Sequence, residues 1–149
     1  MMNNKRVMAI DYGNARTGVA FSDLTWTLPG ETLTIHERDI NSLISAVAEL
    51  ARSRNADIIA LGCPLNEDGS AGTQYRKTDA LKRKLEALGF DVRFVDERFT
   101  SIEAWELLTP RERRTRDKSR LDEVSAAIIL QDFLNTFYDK RVGQMKPTL

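Results

Sequence analysis

The sequence predicts an α/β fold with a mixed five-stranded sheet and helices on both of its faces. Three short apolar or β-branched segments come first and are separated by turn residues. Strand-like and helix-like segments then alternate, and a longer amphipathic segment closes the chain. Strands joined by a short turn pair antiparallel, whereas strands joined by a helix pair parallel, so this order predicts both kinds of pairing in one sheet.

The first three segments predict the antiparallel part of the sheet. Residues 5–11 (KRVMAID) and 17–22 (TGVAFS) lie on either side of Gly13 and Asn14, which can form the tight turn of a hairpin. A third strand is predicted at residues 31–36, after a Pro-Gly pair that breaks the preceding segment.

The middle of the chain predicts two helices with a buried strand between them. Apolar side chains recur at helical spacing over residues 40–51, and Asp39 precedes them as an N-cap. Residues 56–62 (ADIIALG) are a continuous apolar run, as in a strand that is covered on both faces. A second helix is predicted at residues 73–88, where Gly89 supplies the left-handed residue that ends many helices.

The last part of the chain predicts a strand, a short helix and a closing helix. Residues 91–97 alternate as a strand does, and Thr100 opens a capping-box pattern. The basic run at residues 111–120 is predicted to be a loop, and a final helix is predicted over residues 122–138. The buried stripe of that helix is predicted to be Val124, Ala127, Ile128, Gln131 and Leu134.

Length and composition indicate a single domain over residues 1–139, with a flexible C-terminal tail at residues 140–149. The 22 basic and 22 acidic side chains cancel, so a nucleic-acid binder would have to concentrate its positive charge locally. The single cysteine, Cys63, excludes an internal disulfide and is predicted to be an inert core residue. No apolar stretch approaches the ~20 residues that span a bilayer, and the first residues lack the apolar core of a signal peptide. A cytoplasmic protein with no membrane partner is therefore expected.

Three carboxylates lie where the predicted topology brings chain segments together. Asp11 ends the first strand, Glu97 ends the last, and Asp122 begins the final helix. Right-handed crossovers place the parallel strands side by side, and sites in such sheets form beyond the carboxyl ends of the strands. Three acids in one place repel each other unless divalent cations neutralise them, and carboxylate oxygens suit Mg²⁺ or Mn²⁺. Taken singly, Asp11 is equally consistent with a turn residue and Asp122 with a helix N-cap.

Four segments together resemble the YqgF/RuvX family: AIDYGNARTGVAFSD, ALGCPLNEDGSAG, VDERFTS and LDEVSAAIILQDFL. They occur in the family's order and cover residues 5 to about 137. Members of this family have an RNase H-like fold and are described as Holliday-junction resolvases and as nucleases that mature precursor small-subunit ribosomal RNA. The chain departs from the family pattern in the first turn, where Ala15 replaces a basic residue and Thr17 an aliphatic one.

The resemblance implies a carboxylate triad at Asp11, Glu97 and Asp122, with Arg16 and Arg98 as phosphate-binding residues. It also implies a metal-dependent endonuclease that hydrolyses phosphodiester bonds in structured RNA or branched DNA, in pre-16S rRNA processing or Holliday-junction resolution. In the expected mechanism Asp11 bridges two Mg²⁺ or Mn²⁺ ions, and the two other acids are flanking ligands. The partner is nucleic acid, and the protein is expected to be a monomer or a homodimer.

Two further segments are candidates for nucleic-acid contact. The basic run before Asp122 would bind the phosphate backbone by charge, without base readout, or would simply be a solvated loop. Asn66 and Ser70 lie beyond the strand at residues 56–62 and would contact substrate or serve only the turn. The predicted nucleic-acid-binding residues are Arg16, Arg98, Arg113, Arg114, Arg116, Lys118, Asn66 and Ser70. His36, the only histidine, is predicted to lie on the surface at a strand end, without a catalytic role.

Two alternatives to a nuclease remain open from the sequence. A non-catalytic module could bind RNA or a ribosomal partner with the same fold, and turnover would separate the two. The opening D-x-G-x-x-x-x-G-V-A also resembles the first phosphate loop of actin-like ATPases. Those proteins need a second lobe and a second phosphate loop, and 149 residues leave no room for both.

Overall fold

The protein is described by a computed structural model that covers residues 5–25, 29–66, 68–97, 100–115 and 118–144. For residues 29, 100–103, 115 and 137–144 it describes the backbone alone.

The sheet has the mixed pairing that the order of segments predicts. Its strands are β1 (Arg6–Asp11), β2 (Thr17–Ser22), β3 (Pro29–Ile35), β4 (Ala56–Cys63) and β5 (Asp91–Asp96), in the spatial order β3-β2-β1-β4-β5. β1 pairs antiparallel with β2, and β2 with β3. β4 pairs parallel with both β1 and β5. The prediction that the first, fourth and fifth strands lie side by side is confirmed.

The helices are α1 (Ile40–Ser53), α2 (Thr73–Ala87), α3 (Thr100–Leu107), α4 (Pro110–Thr115) and α5 (Lys118–Gln144). Two predicted helix ends are confirmed. Asp39 is the N-cap of α1, since its side chain accepts a hydrogen bond from the backbone N–H of Ser42 at 2.9 Å. Gly89 follows α2 with a φ of +98°, a backbone conformation that glycine adopts without strain. No helix among the described residues is both long enough and apolar enough to cross a bilayer.

Helices cover both faces of the sheet, and alternate residues of the central strands face different helices. Met8 and Ile10 of β1 belong to the core formed with α1 and α2. Val7 and Ala9 belong to the core formed with α5. The sheet residues that face α5 include the small side chains of Ala9, Ala20 and Ala60, so α5 can lie close to the sheet.

The basic segment before Asp122 is largely helical, and the prediction of a loop there is wrong. Its described residues belong to α4 and to the first turn of α5. Thr109 and Glu112 form a capping box for α4: the N–H of Glu112 donates to Thr109 Oγ1 at 3.1 Å, and the N–H of Thr109 donates to Glu112 Oε1 at 2.9 Å. Pro110 begins the helix, where its missing N–H costs nothing.

The closing helix is longer than the predicted helix at residues 122–138, since α5 runs from Lys118 to Gln144. Residues 140–144 therefore continue a helix, while residues 145–149 of the predicted tail lie outside the described residues. The division of the chain at residue 139 stays a prediction.

The predicted buried stripe of α5 was wrong, because it names residues on a partly different side of the helix from those that pack on the sheet. Val124 and Leu134 are buried, but Ala127, Ile128 and Gln131 are only partly so. The side chains that pack on the sheet are instead Ala126, Ile129, Leu130, Phe133 and Leu134. Val124 packs with Ala104 and Leu108 around α3, with Ile128 beside them. Because α5 contacts both the sheet and α3, its apolar residues spread around two faces and a single stripe cannot describe them.

We expect Ile129→Ala to lower the free energy of unfolding by about 2–5 kcal/mol, because it leaves a cavity between α5 and the sheet. Ile129 is fully buried, whereas Leu107 is exposed, with 66% of its surface accessible to solvent. Leu107→Ala is the matched control, with an expected change below about 0.5 kcal/mol. Urea denaturation of both variants measures the difference, and equal losses would contradict this account of the core.

Candidate active site

Asp11, Glu97 and Asp122 come together at the edge of the sheet where the parallel strands end. Asp11 is the last residue of β1, Glu97 follows β5, and Asp122 lies near the start of α5. The side chain of Asp11 is hydrogen-bonded to that of Glu97 and is close enough to Asp122 to be affected by its charge. Strand alternation places Asp11 and Glu97 on the face that α5 covers, the face of Ala9 and Val95.

Gly18 lets the start of α5 reach Asp11. Gly18 is the residue of β2 that pairs with Asp11 across the hairpin. A Cβ atom at position 18 would overlap the backbone carbonyl group of Asp122. The helix therefore lies directly on the backbone of β2, and Asp122 is held beside Asp11 because this strand position carries no side chain.

Gly62 does the same for Glu97 on the other side of Asp11. Gly62 lies in β4, one residue beyond the pair Ile10–Leu61 that joins β4 to β1. A Cβ atom there would lie 2.5 Å from Glu97 Oε2 and 2.7 Å from Ile129 Cδ1. The carboxylate of Glu97 thus crosses over β4 through space that any other residue would fill.

Hydrogen bonds to β3 fix the position of the first turns of α5. Thr32 donates to Glu123 Oε1 at 2.9 Å, and Thr34 donates to Glu123 Oε2 at 3.3 Å. Thr34 Oγ1 also lies 3.0 Å from the carbonyl oxygen of Ser119, so its single hydroxyl proton is shared between these two acceptors. Both oxygens of the residue next to Asp122 are therefore held by the sheet, which restricts rotation and sliding of the helix.

Asp11 and Glu97 share a proton in this arrangement. Burial, the negative charge of Asp11 and the hydrogen bond between the two acids raise the pKa of Glu97 to about 9. Burial and the charge of Asp122 raise the pKa of Asp11 to about 6, although its hydrogen bond to Glu97 acts in the opposite direction. At neutral pH Glu97 is therefore protonated and donates to the carboxylate of Asp11.

Asp122 is neutralised differently, by Arg16. The Nε atom of Arg16 lies 2.8 Å from Asp122 Oδ2, and both side chains are partly buried. Burial raises the pKa of Asp122, while Arg16 and then His36 lower it. Among the described residues, no three acidic, histidine or cysteine side chains already surround one common point as metal ligands do.

The structure gives the other predicted nucleic-acid-binding residues different surroundings. Arg98 and Arg116 lie outside the described residues. Arg113 caps α3, since its Nε donates to the carbonyl oxygen of Trp105 at 3.0 Å and its Nη2 to that of Glu106 at 2.7 Å. Arg114 and Lys118 are exposed. Nucleic-acid contact by these residues stays a prediction. Arg113 also has a structural role, because it holds the C-terminal end of α3.

Asn66 and Ser70 form a turn beyond β4. The side-chain amide of Asn66 donates to Ser70 Oγ at 2.9 Å, and the backbone N–H of Asn66 donates to the carbonyl oxygen of Ser70 at 2.9 Å. Asp68 Oδ1 accepts from the backbone N–H of Ser70, and Gly69 has a φ of +86°. Both predicted residues are exposed at the same end of the sheet as the acids, and their contact with substrate stays a prediction.

Cys63 and His36 occupy the environments that the sequence predicts. Cys63 is buried at the end of β4, and burial raises the pKa of its thiol. A protonated, buried thiol is inert. His36 is exposed just after β3.

Several residues that shape the site did not stand out in the sequence: Gly18, Gly62, Glu123, Thr32 and Thr34. The alternation of side chains along a strand predicts that the two glycines lie on the same face of the sheet as Asp11 and Glu97. Their importance follows only from the register between strands, which the sequence does not state. The contacts of Glu123 depend on how α5 crosses β3.

A model of the family described as RuvX, Holliday junction resolvase, matches residues 5–136. The chain belongs to the RuvX family. A relative from Synechococcus elongatus named "Putative pre-16S rRNA nuclease" is 38% identical over 131 residues, which cover 86% of this chain and 87% of the relative. A relative of the same name from Moorella thermoacetica is 37% identical over 142 residues, or 93% and 97% of the two chains.

Solved structures of resolvases have the same fold. Thermus thermophilus RuvC in complex with a Holliday junction substrate superposes with a TM-score of 0.56 at 13% identity, covering 97% of this chain and 99% of that chain. The fowlpox virus resolvase in its complex with Holliday junction DNA also gives a TM-score of 0.56 at 13% identity, covering 89% and 98% of the two chains. The RNase H-like fold expected for a RuvX-family member is confirmed.

The shared proton makes stability depend on pH in the absence of divalent cations. The pKa values of Asp11 and Glu97 are raised from 3.8 to about 6 and from 4.5 to about 9. The folded protein therefore retains protons that the unfolded chain has lost, and its stability falls as pH rises from about 5 to about 9. Glu97→Gln keeps a hydrogen-bond donor without a charge and is expected to flatten this dependence in EDTA.

Thermal denaturation across that pH range measures the effect, and Glu49→Gln, at an exposed position of α1, is the control. The control should follow the wild-type curve. Parallel curves for the wild type and Glu97→Gln would show that Glu97 does not bear the shared proton.

Gly18→Ala is expected to lower the free energy of unfolding by about 1–3 kcal/mol, the range for overpacking. Its new methyl group overlaps backbone atoms of Asp122, which cannot rotate away. Gly72→Ala is the control, because a Cβ atom there would come no closer than 3.5 Å to its neighbours. Urea denaturation measures both variants, and an unchanged stability of Gly18→Ala would contradict the close contact between α5 and β2.

Proposed function

We propose that this RuvX-family protein is a metal-dependent endonuclease that hydrolyses phosphodiester bonds in structured nucleic acid, with Asp11, Glu97 and Asp122 as its catalytic and metal-binding residues. One observation carries the proposal: three acids meet at one edge of the sheet, where the pKa values of all three are raised. Groups held in so unfavourable a protonation state are typical of functional sites. Membership of the family and relatives named as nucleases support the same conclusion.

The chemistry of these three acids suits one or two divalent cations, although their side chains do not surround one common point in the described structure. Carboxylate oxygens are the ligands that Mg²⁺ and Mn²⁺ prefer. In the structure the positive charge that such a set of acids requires is supplied by the proton between Asp11 and Glu97 and by Arg16 at Asp122. When bound, the metal would lower the pKa of a coordinated water and stabilise the charge on the departing oxygen.

The protein's own side chains have defined tasks in this proposal. Asp11, Glu97 and Asp122 would hold the cation or cations, with Asp11 as the central ligand, and Glu97 would have to lose its proton to serve as a ligand. Arg16 lies beside Asp122 and holds a phosphate oxygen with its guanidinium group. Arg98 directly follows Glu97 and is proposed for the same task.

Exposed basic residues would hold the substrate outside the acids. Arg114 and Lys118 lie in α4 and in the first turn of α5, on the chain segment that leads to Asp122. We assign them contacts with backbone phosphates, which position the substrate without reading its sequence. Asn66 and Ser70 would contact the substrate from the turn beyond β4.

Precursor small-subunit rRNA is the substrate that we propose first, since the relatives at 37% and 38% identity are named for it. A four-way DNA junction is the second candidate, because the family description names it. A monomer is sufficient to trim an rRNA end, whereas resolving a junction requires two active sites in a homodimer. Either reaction would take place in the cytoplasm.

Purified protein should cleave one of these substrates in Mg²⁺ or Mn²⁺ and not in EDTA. Asp11→Asn is expected to fold normally and to lose cleavage by several orders of magnitude, because it removes the central ligand. Asp57→Asn, at an exposed position of β4, is the matched control and should cleave like the wild type. Gel assays with a four-way DNA junction and a precursor rRNA fragment make the comparison. Full activity of Asp11→Asn would refute the metal site, and binding without cleavage by the wild type would favour a non-catalytic RNA-binding module.

A further inference from the structure

An open groove lies beside the acids, on the side of β2 and β3. It has a volume of about 450 Å³ and is lined by Ala15, Arg16, His36, Glu37 and Arg38. The first two of these residues belong to the turn before β2, and the other three to the loop between β3 and α1. This loop, residues 36–39, was not among the predicted nucleic-acid-binding segments.

The lining of the groove has a small net positive charge, since it contains two arginines and one glutamate and His36 is counted as neutral. Glu37 Oε1 accepts hydrogen bonds from the backbone N–H groups of Arg38 and Asp39, both at 3.1 Å. Asp39 Oδ2 in turn accepts from the backbone N–H and the hydroxyl of Ser42 at 2.9 and 3.0 Å. Both acids of the loop are thus turned towards their own backbone or α1, while His36 and Arg38 are exposed.

The groove continues directly from the proposed active site. Arg16 belongs to both, since it lines the groove and its Nε lies 2.8 Å from Asp122 Oδ2. His36 is close enough to Asp122 to affect its carboxylate electrostatically. The hydrogen bond from Thr34 to the carbonyl oxygen of Ser119 also brings the end of β3 next to the exposed Lys118. A chain of phosphates leaving the acids along this side would meet positive charge on both flanks.

We propose that this groove binds a backbone phosphate of the nucleic-acid substrate, adjacent to the phosphate that is cleaved, through the guanidinium groups of Arg16 and Arg38 and an N–H group of His36. The inference rests on the proposed nuclease function and adds a substrate contact to it. The groove is open, whereas sites for small molecules enclose most of their ligand. A phosphate that belongs to a polymer needs no enclosure, because the remaining contacts of the polymer hold it in place.

Binding measured without cleavage tests the groove. Asp11→Asn provides an uncleaving background, and the double variant Asp11→Asn/Arg38→Gln removes one charge from the groove. Anisotropy titrations with a labelled four-way DNA junction and a labelled precursor rRNA fragment, over a range of salt concentrations, measure affinity and its salt dependence. We expect the slope of log K against log[salt] to become less steep by about 0.7–0.9, because the double variant neutralises one phosphate fewer.

Two variants in the same background serve as controls. Arg83→Gln also removes one arginine charge, but from the exposed surface of α2, where Arg83 pairs with Asp79 at 3.0 Å. It should leave the slope unchanged. Arg38→Lys keeps the charge in the groove and should retain most of the slope of Asp11→Asn alone.

The groove and the nuclease function fail in different ways. Equal slopes for Asp11→Asn with and without Arg38→Gln, or equal reductions of the slope by Arg38→Gln and Arg83→Gln, would overturn the phosphate site while leaving metal-dependent cleavage by the wild type intact. A reduced slope in Arg38→Gln, together with a wild type that cleaves neither substrate, would support the phosphate site and refute the nuclease. Undetectable binding of both substrates by Asp11→Asn would also overturn the phosphate site.

Discussion

The close contact between α5 and the backbone of β2 at Gly18 is the constraint on which the site depends. β1 brings Asp11 to the end of the sheet, but Asp122 belongs to a helix more than 100 residues later in the chain. The helix can place Asp122 beside Asp11 only because the strand position opposite Asp11 has no side chain. Small residues continue this contact along the sheet through Ala9, Ala20 and Ala60. The same packing that buries the core of the α5 face therefore assembles the acids.

The assembled acids are electrostatically unfavourable on their own. Each is partly withdrawn from water, and each lies near another negative charge. A proton on Glu97 and the guanidinium group of Arg16 beside Asp122 reduce this electrostatic cost. In the proposed function, binding of divalent cations would relieve the repulsion that these acids cause in the metal-free protein. The contacts of Glu123 with Thr32 and Thr34 resist the repulsion by holding the start of α5 on β3.

The sequence was a good guide to features that depend on local chemistry. The hairpin, the N-cap at Asp39, the left-handed Gly89 and the parallel order of three strands all follow from spacing and turn residues, and the structure confirms them. The sequence was a poorer guide where one helix packs against two different parts of the structure. The stripe of α5 was wrong because the helix serves both the sheet and α3. The helix α4 was not predicted, because its many basic residues suggested a solvated loop and the capping box of Thr109 and Glu112 was not recognised. In the candidate site, the positions of the acids at strand ends could be predicted from the sequence. The roles of Gly18 and Gly62 could not, because they depend on the register between the strands.

Calorimetric titration of the metal-free protein with Mn²⁺, in two buffers of different ionisation heat near neutral pH, tests the central claim most directly. If the proton between Asp11 and Glu97 occupies the place of a cation, binding should release about one proton per protein molecule. Glu97→Gln should bind Mn²⁺ much more weakly and release none. Binding of Mn²⁺ by the wild type without proton release, and with the same affinity in Glu97→Gln, would contradict the claim that these acids form a divalent-cation site.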